Sequence, residues 1–101
     1  MKLAQRAALS RRIEAAEAVV AERVRARAVA LLADEHRGGN RRTQQIIEAA
    51  MVKMAAGGLV GAERDPVGAV LAEIARSAPA VARRVAAAVG IEVPTHQTTE
   101  S

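Results

Sequence analysis

Apolar side chains recur every three or four positions through the first third of the chain, and no glycine or proline interrupts residues 3–36. At about 100° per residue, the recurring positions fall on one face of a helix. These positions are Leu9, Ile13, Ala16, Val20, Val24 and Leu31. The pattern predicts one amphipathic helix over 3–36, on the order of 50 Å long at about 1.5 Å per residue. Arg27 lies inside the apolar stripe, so we expect either that its guanidinium reaches solvent or that the stripe is not fully buried there.

A glycine pair at 38–39 interrupts the periodic pattern after the long segment. Glycine commonly ends a helix, and the asparagine that follows is a favoured first cap for the next one. The pattern therefore predicts a second helix over 41–56, capped by Asn40. Its predicted inward face consists of Ile47, Ala50, Met51 and Met54.

Two shorter periodic segments complete the pattern. Asp65 followed by Pro66 predicts a helix start, because aspartate caps the first turn and proline fits its first position. This third helix is predicted over 66–76, and a fourth over 79–89 that Gly90 ends. The predicted inward residues are Val67, Val70, Leu71, Ile74, Val81, Val85 and Val89.

The fold class that follows is all-α, with one long N-terminal helix followed by three shorter helices. No segment alternates with period two for long enough to predict a strand. We expect a single helical domain over 1–93, whose compact helical part covers about 41–91. The polar residues 94–101 are predicted to form a disordered tail.

Composition predicts a weak core. Half of the 101 residues are apolar, but 25 of these are alanine and none is aromatic. Alanine favours helix but removes little surface from water, so a lone domain of this size would be marginally stable. We therefore expect a homodimer that forms through the long helix.

Charge is distributed unevenly. Residues 1–42 contain ten basic and five acidic side chains, a net charge of +5, whereas residues 43–101 carry −1. Thirteen of the fifteen basic residues are arginine, whose planar fork binds two phosphate oxygens at once. The basic half favours a polyanionic partner, double-stranded DNA first. A solvated arginine-rich surface without a nucleic-acid partner is the alternative explanation.

The sequence lacks the residues that several kinds of chemistry require. The chain has no cysteine, and its two histidines, His36 and His96, are far apart in the sequence. The glycine-rich stretch 57–61 lacks the Gly-Lys-Ser/Thr ending of a phosphate-binding loop. We therefore predict no enzymatic activity, metal, cofactor or small-molecule substrate. No apolar run is long enough to span a bilayer and no signal peptide is evident, so we expect a cytoplasmic protein without a membrane partner.

The candidate DNA-contacting residues are arginines at three places along the chain. They are Arg37, Arg41 and Arg42 at the glycine junction, Arg23, Arg25 and Arg27 as a second strip on the long helix, and Arg76, Arg83 and Arg84 around the turn between the third and fourth helices. Because this turn region offers little asparagine, glutamine or serine for reading bases, we expect contacts mainly to the phosphate backbone.

Several stretches together resemble the actinobacterial integration host factor family. They are QRAAL at 5–9, RARA at 25–28, RGG at 37–39, VGAVLAEI at 67–74, VARRV at 81–85 and VGI at 89–91. The resemblance implies a helix–two-turn–helix DNA-binding unit in the second half, with Arg83 and Arg84 on its DNA-facing helix. The family's glycine-containing hairpin is replaced here by RSAP at 76–79.

The sequence therefore predicts a small basic helical DNA-binding protein of the nucleoid-associated or accessory type. The alternative is a helical protein–protein interaction module, such as an antitoxin-like, phage or scaffold protein, that binds an acidic partner. The apolar stripe of the long helix favours this alternative, because Arg12 and Arg23 border it on one edge and Glu17 and Glu35 on the other.

Overall fold

The computed structural model describes residues 2–93 and contains four helices. They are α1 (Leu3–Gly38), α2 (Arg41–Ala55), α3 (Pro66–Ala75) and α4 (Pro79–Val89). No strand occurs within 2–93. The all-α prediction, with one long helix followed by three shorter ones, is confirmed. The tail predicted for 94–101 lies outside the described residues.

The first helix runs along nearly the whole length of the protein. Its 36 residues correspond to about 54 Å at a rise of about 1.5 Å each, and the longest dimension of the molecule is 58 Å. The helix ends two residues later than predicted, because Gly38 still adopts helical geometry. The chain turns to extended backbone at Gly39, whose φ is −90° and ψ is 164°.

The three short helices begin and end within one residue of the predicted positions. The Oδ1 atom of Asn40 accepts a hydrogen bond from the backbone N–H of Thr43 at 2.9 Å, which caps α2. In the same way Oδ1 of Asp65 accepts from the N–H of Gly68 at 2.9 Å and caps α3. Gly90 ends α4 in the left-handed conformation, with φ at 78°, where a side chain would be strained.

The hydrophobic core lies between the C-terminal third of α1 and the three short helices. Leu71 and Ile74 of α3 and Val85 of α4 are its largest fully buried side chains. The long helix contributes only Ala28 and Leu32 to the buried set.

Of the predicted inward residues of α3 and α4, all are buried except Val67 and Val89, which are half-buried. The prediction for Met51 of α2 is wrong, because this side chain is 40% exposed.

Residues 3–23 of α1 form a free arm that extends beyond the core. Every side chain in this arm is exposed except Ala8, which is half-buried. Of the predicted apolar stripe, Leu9 is 46%, Ile13 51% and Val20 58% exposed. Within the described chain these stripe residues of the arm pack against nothing, whereas Leu31, farther along α1, packs against the core.

Candidate nucleic-acid interface

The first turn of α2 carries two adjacent arginines, Arg41 and Arg42. No carboxylate in the range 2–93 forms an ion pair with either of them, and both side chains are exposed. The helix macrodipole makes this end of α2 positive, so two cations raise the local potential further. The backbone N–H of Thr43 is already bonded to Asn40, so it is not available to an external anion. The first turn therefore presents two guanidinium groups and its foremost amides.

Arg42 lies on the side of α2 that faces the turn between α3 and α4. With Gln45 and Ala49 it lines a shallow polar depression whose opposite wall includes Glu73 and Ser77. The glycine junction, through Arg42, and the α3–α4 turn, through Ser77, thus border one depression, but none of the three arginines predicted around that turn lines it.

Lys53 belongs to the same surface, although it was not among the predicted residues. Its Nζ atom lies 3.1 Å from Oε2 of Glu73, and Nη1 of Arg76 lies 3.5 Å from Oε1 of the same carboxylate. Lys53 follows Arg42 by eleven residues, or about three turns of helix, so the two share a face. That spacing is the signal in the sequence that could have identified Lys53. Glu73 carries one negative charge between two cations, so this corner stays positive.

Arg83 and Arg84 are adjacent on α4, but only Arg84 has an ion-pair partner within 2–93. Both oxygens of Glu35 on α1 accept hydrogen bonds from Arg84, at 2.8 Å from Nε and 2.8 Å from Nη2. This bidentate pair joins α1 to α4 across 49 residues of sequence. Arg83 is exposed and has no ion-pair partner within 2–93. The structure therefore leaves Arg83 available to an external anion, whereas a phosphate at Arg84 would first have to displace Glu35.

Acid should weaken the link between α1 and α4. The hydrogen bonds from Arg84 lower the pKa of Glu35 below its ordinary value, against the opposing effect of partial burial. A lowered pKa stabilises the fold above the unfolded value, near about 4.3, and that contribution is lost as the pH falls through the folded value. We expect the Glu35→Gln variant to be less stable than the parent at pH 7, by about 1 kcal/mol. This difference should vanish in acid, as measured by urea unfolding followed by circular dichroism.

The matched control for this prediction is Glu14→Gln. Glu14 is an exposed carboxylate on the free arm that forms no ion pair with any residue of 2–93. Its loss changes the net charge by the same amount without touching the α1–α4 link. If Glu14→Gln and Glu35→Gln shift the unfolding midpoint equally at every pH, the pair contributes nothing specific.

The arginines predicted as a second strip on α1 do not share a face. Arg25 donates two hydrogen bonds to Glu22, at 3.1 Å from Nε and 2.6 Å from Nη2. The Nε atom of Arg27 lies 3.5 Å from the carbonyl oxygen of Ala88 near the end of α4. Residues two apart on a helix point to nearly opposite sides. Arg23 and Arg27, four apart, can act together, and Arg25 lies away from both.

The end of α1 is more neutral than the sequence suggests. Arg37 pairs with Asp34 one turn earlier. His36 Nε2 lies 2.6 Å from Oε2 of Glu48 on α2, a contact that holds the two helices together at the junction. Arg37 is therefore closer to an acidic neighbour than to the unpaired arginines of α2.

The nine predicted arginines fall into groups by their partners. Arg25, Arg37, Arg76 and Arg84 pair with carboxylates, Arg27 bonds a carbonyl, and Arg23, Arg41, Arg42 and Arg83 form no ion pair within 2–93. Each paired guanidinium remains more than half exposed. Exposed pairs of this kind contribute only about 0–1 kcal/mol, so a phosphate can compete for them.

The described residues provide neither a cluster for a metal ion nor a helix that spans a membrane. Among residues 2–93, no group of three or more histidine, cysteine or acidic side chains is placed to hold a metal ion. None of the helices there has both the length and the apolar character needed to cross a bilayer.

The resemblance to the integration host factor family stays a prediction from the sequence. No family model, curated protein or solved structure gives a significant match to this chain.

Proposed function

We propose that this protein binds double-stranded DNA, mainly through the phosphate backbone, as a small nucleoid-associated or accessory protein. The observation that carries the proposal is the pair of unpaired arginines, Arg41 and Arg42, in the first turn of α2, beside the depression shared with the α3–α4 turn. Lys53 extends the positive region along α2 as far as its contact with Glu73 of α3, and Arg83 is a further unpaired arginine on α4.

The location of these two cations supports an anionic ligand. A helix N-terminus repels a positive side chain, by about 0.3–1 kcal/mol at an exposed site. A phosphate at that position would interact favourably with the dipole, the foremost amides and both guanidinium groups. The unfavourable placement of Arg41 and Arg42 in the free protein thus becomes favourable in a complex.

Backbone contact is favoured over base reading because of the side chains available. On the exposed side of α4, Arg83 has alanines at positions 80 and 87 as its neighbours one turn away. Alanine neither donates nor accepts a side-chain hydrogen bond, so that surface can distinguish few bases. Any sequence preference would come from the shape or bending of the duplex.

Salt dependence tests the proposal. We expect the parent protein to bind a fluorescent duplex of about 20 base pairs with an affinity that falls steeply between about 50 and 200 mM salt. For the Arg41→Gln/Arg42→Gln variant, the slope of log K against log salt should decrease by about 2, since each lost phosphate contact removes about 0.9. Its affinity at low salt should fall by about tenfold or more.

Arg64→Gln is the control for the loss of a positive charge away from the first turn of α2. Arg64 lies in the loop after α2, at the opposite end of that helix from Arg41, and its side chain is exposed. We expect the Arg64→Gln variant to show the same slope of log K against log salt as the parent protein. The proposal fails if the double variant binds like Arg64→Gln, or if the parent shows no binding at low salt.

The proposal also includes a homodimer formed through α1 and a cytoplasmic location. The location follows from the proposed nucleoid-associated type, because a nucleoid lies in the cytoplasm. The dimer follows from the alanine-rich core and from the exposed apolar side chains of the free arm.

The alternative function remains a helical interaction module with an acidic protein partner. The observation that favours it is an apolar groove of about 220 Å³ where α1, α2 and α3 meet. Val29, Met51 and Val67 contribute to its walls, and Arg25 lies at its edge. Substitution of Met51 by Glu would abolish binding of such a partner and leave the DNA titration unchanged, which separates the two functions.

A further inference from the structure

The free arm carries a short heptad pattern on its exposed side. Leu9, Ile13, Ala16 and Val20 are spaced by four, three and four residues, which is the spacing of the d and a positions of a coiled coil. We call these four residues the seam. All four are exposed, so the seam is accessible along its whole length.

We infer that the seam binds the seam of a second copy of this chain, with the two helices parallel. The inference rests on the homodimer part of the proposed function and does not require that DNA is bound. Two unpaired charges, Arg12 and Glu17, border the seam on opposite edges. Neither forms an ion pair with any residue of 2–93, so both are free to pair between chains.

Charge determines the direction of the two helices. In a parallel coiled coil, the g position of one helix faces the e position of its partner in the next heptad, five residues later. Arg12 and Glu17 occupy g and e and are five residues apart, so two Arg12–Glu17 pairs form by symmetry. In an antiparallel pair, like edges meet, and each charge would face its own kind. Opposite charges on the two edges therefore favour the parallel arrangement.

The residue types at the seam agree with two strands. Ile13 and Val20 are β-branched and occupy a positions, and Leu9 occupies a d position, a combination that favours parallel dimers. Arg6 and Arg23 occupy the next a and d positions and end the seam on both sides. A seam of this length gives a weak dimer, which forms at high protein concentration.

The packed part of the molecule sets the other boundary of the interface. Arg27 continues the line of the seam, and its guanidinium is bonded to the carbonyl of Ala88 at the end of α4. Since α4 occupies that side of α1, a partner helix can follow only the free arm. Parallel pairing then brings the compact parts of both copies, with their unpaired arginines, to the same end of the dimer.

Two single-cysteine variants test the arrangement, and the parent chain has no cysteine to interfere. We expect Ile13→Cys and Val20→Cys each to form a disulfide-linked dimer on oxidation, because in a parallel pair every seam residue meets its own copy. In an antiparallel pair, at most one of the two positions can meet itself, and the copies of the other lie about 20 Å apart along the axis. A disulfide requires Cα atoms within about 7 Å.

Ala18→Cys is the matched control on the opposite side of the arm. We expect several-fold less dimer from it than from either seam variant under the same oxidation. If only one of the two seam variants forms the disulfide-linked dimer, the parallel arrangement is wrong. If both seam variants form no more dimer than Ala18→Cys, the seam is not an interface. If the seam fails while the duplex titration still depends on Arg41 and Arg42, DNA binding stands without it.

Charge exchange gives a second, independent readout. Arg12→Glu and Glu17→Arg each place like charges opposite each other, so either change should weaken the dimer in sedimentation equilibrium. The variant with both changes restores opposite charges and should associate like the parent. Equal association of the single and double variants would contradict the Arg12–Glu17 pairing. Circular dichroism of each variant confirms that helix content is retained.

Discussion

Replacing Leu71 by alanine should destabilise the protein by about 2–5 kcal/mol, the range found when a buried leucine is truncated. Leu71 is fully buried at the centre of α3, and the core around it contains no aromatic side chain that could fill the space. Alanine residues at positions 28, 50, 82 and 86 line the same core and cannot extend into the cavity. Because small domains are stable by about 5–15 kcal/mol in total, this loss is a large share.

The measurement is urea unfolding followed by far-ultraviolet circular dichroism, since the chain lacks aromatic chromophores. Leu3→Ala is the control, because it removes the same atoms from a leucine that is 81% exposed on the free arm. Its stability should stay within about 0.5 kcal/mol of the parent's. Comparable losses for the two variants would show that α3 does not lie at the centre of the core.

Gly39→Ala should cost about 1–3 kcal/mol by crowding the α1–α2 junction. A Cβ atom at Gly39 would lie 2.7 Å from the backbone oxygen of Glu35 and 2.8 Å from Cγ2 of Thr43. The backbone dihedrals of Gly39 are available to any residue, so the cost arises from these contacts. Because the contact with Glu35 is with backbone, the junction itself must shift. Arg41 and Arg42 would move with it, so DNA affinity should fall as well.

The neighbouring glycine provides the control. A Cβ atom at Gly38 would meet nothing within 4 Å, and Gly38 is the last residue of α1. Alanine is a better helix former than glycine, so Gly38→Ala should leave stability unchanged or raise it by up to about 1 kcal/mol. The denaturant midpoint of Gly39→Ala should therefore fall, and that of Gly38→Ala should stay unchanged or rise. A loss of stability in both would mean that the junction needs a glycine pair for reasons other than space.

Local signals in the sequence were sufficient to predict the helices. Asn40, Asp65 and Gly90 act at the caps they were expected to form, because capping depends on a few neighbouring backbone groups. The inward faces of α3 and α4 were predicted for a similar reason. A short helix packed on several sides buries the residues that its periodicity marks.

Contacts between distant parts of the chain could not be predicted in the same way. Periodicity identified the stripe of α1 but not where its packing begins, so Ala28 and Leu32, the buried residues of that helix, were outside the predicted set. The pairing of Arg84 with Glu35 spans 49 residues and depends on how α4 crosses α1. The charges in the sequence do not distinguish Arg83 from Arg84 as candidate DNA contacts, whereas the fold leaves only Arg83 of the two unpaired within 2–93.

The free arm and the packed third of α1 belong to one uninterrupted helix, so the rotational phase between them is fixed by residue number alone. Inserting one residue between them would rotate the seam by about 100° around the helix axis relative to the compact part, whereas inserting seven would rotate it by only about 20°. Arm length can therefore change by whole heptads while the two halves keep their relative orientation. A change in length far from a whole number of turns, such as one or two residues, would redirect the compact part without altering a single contact inside it.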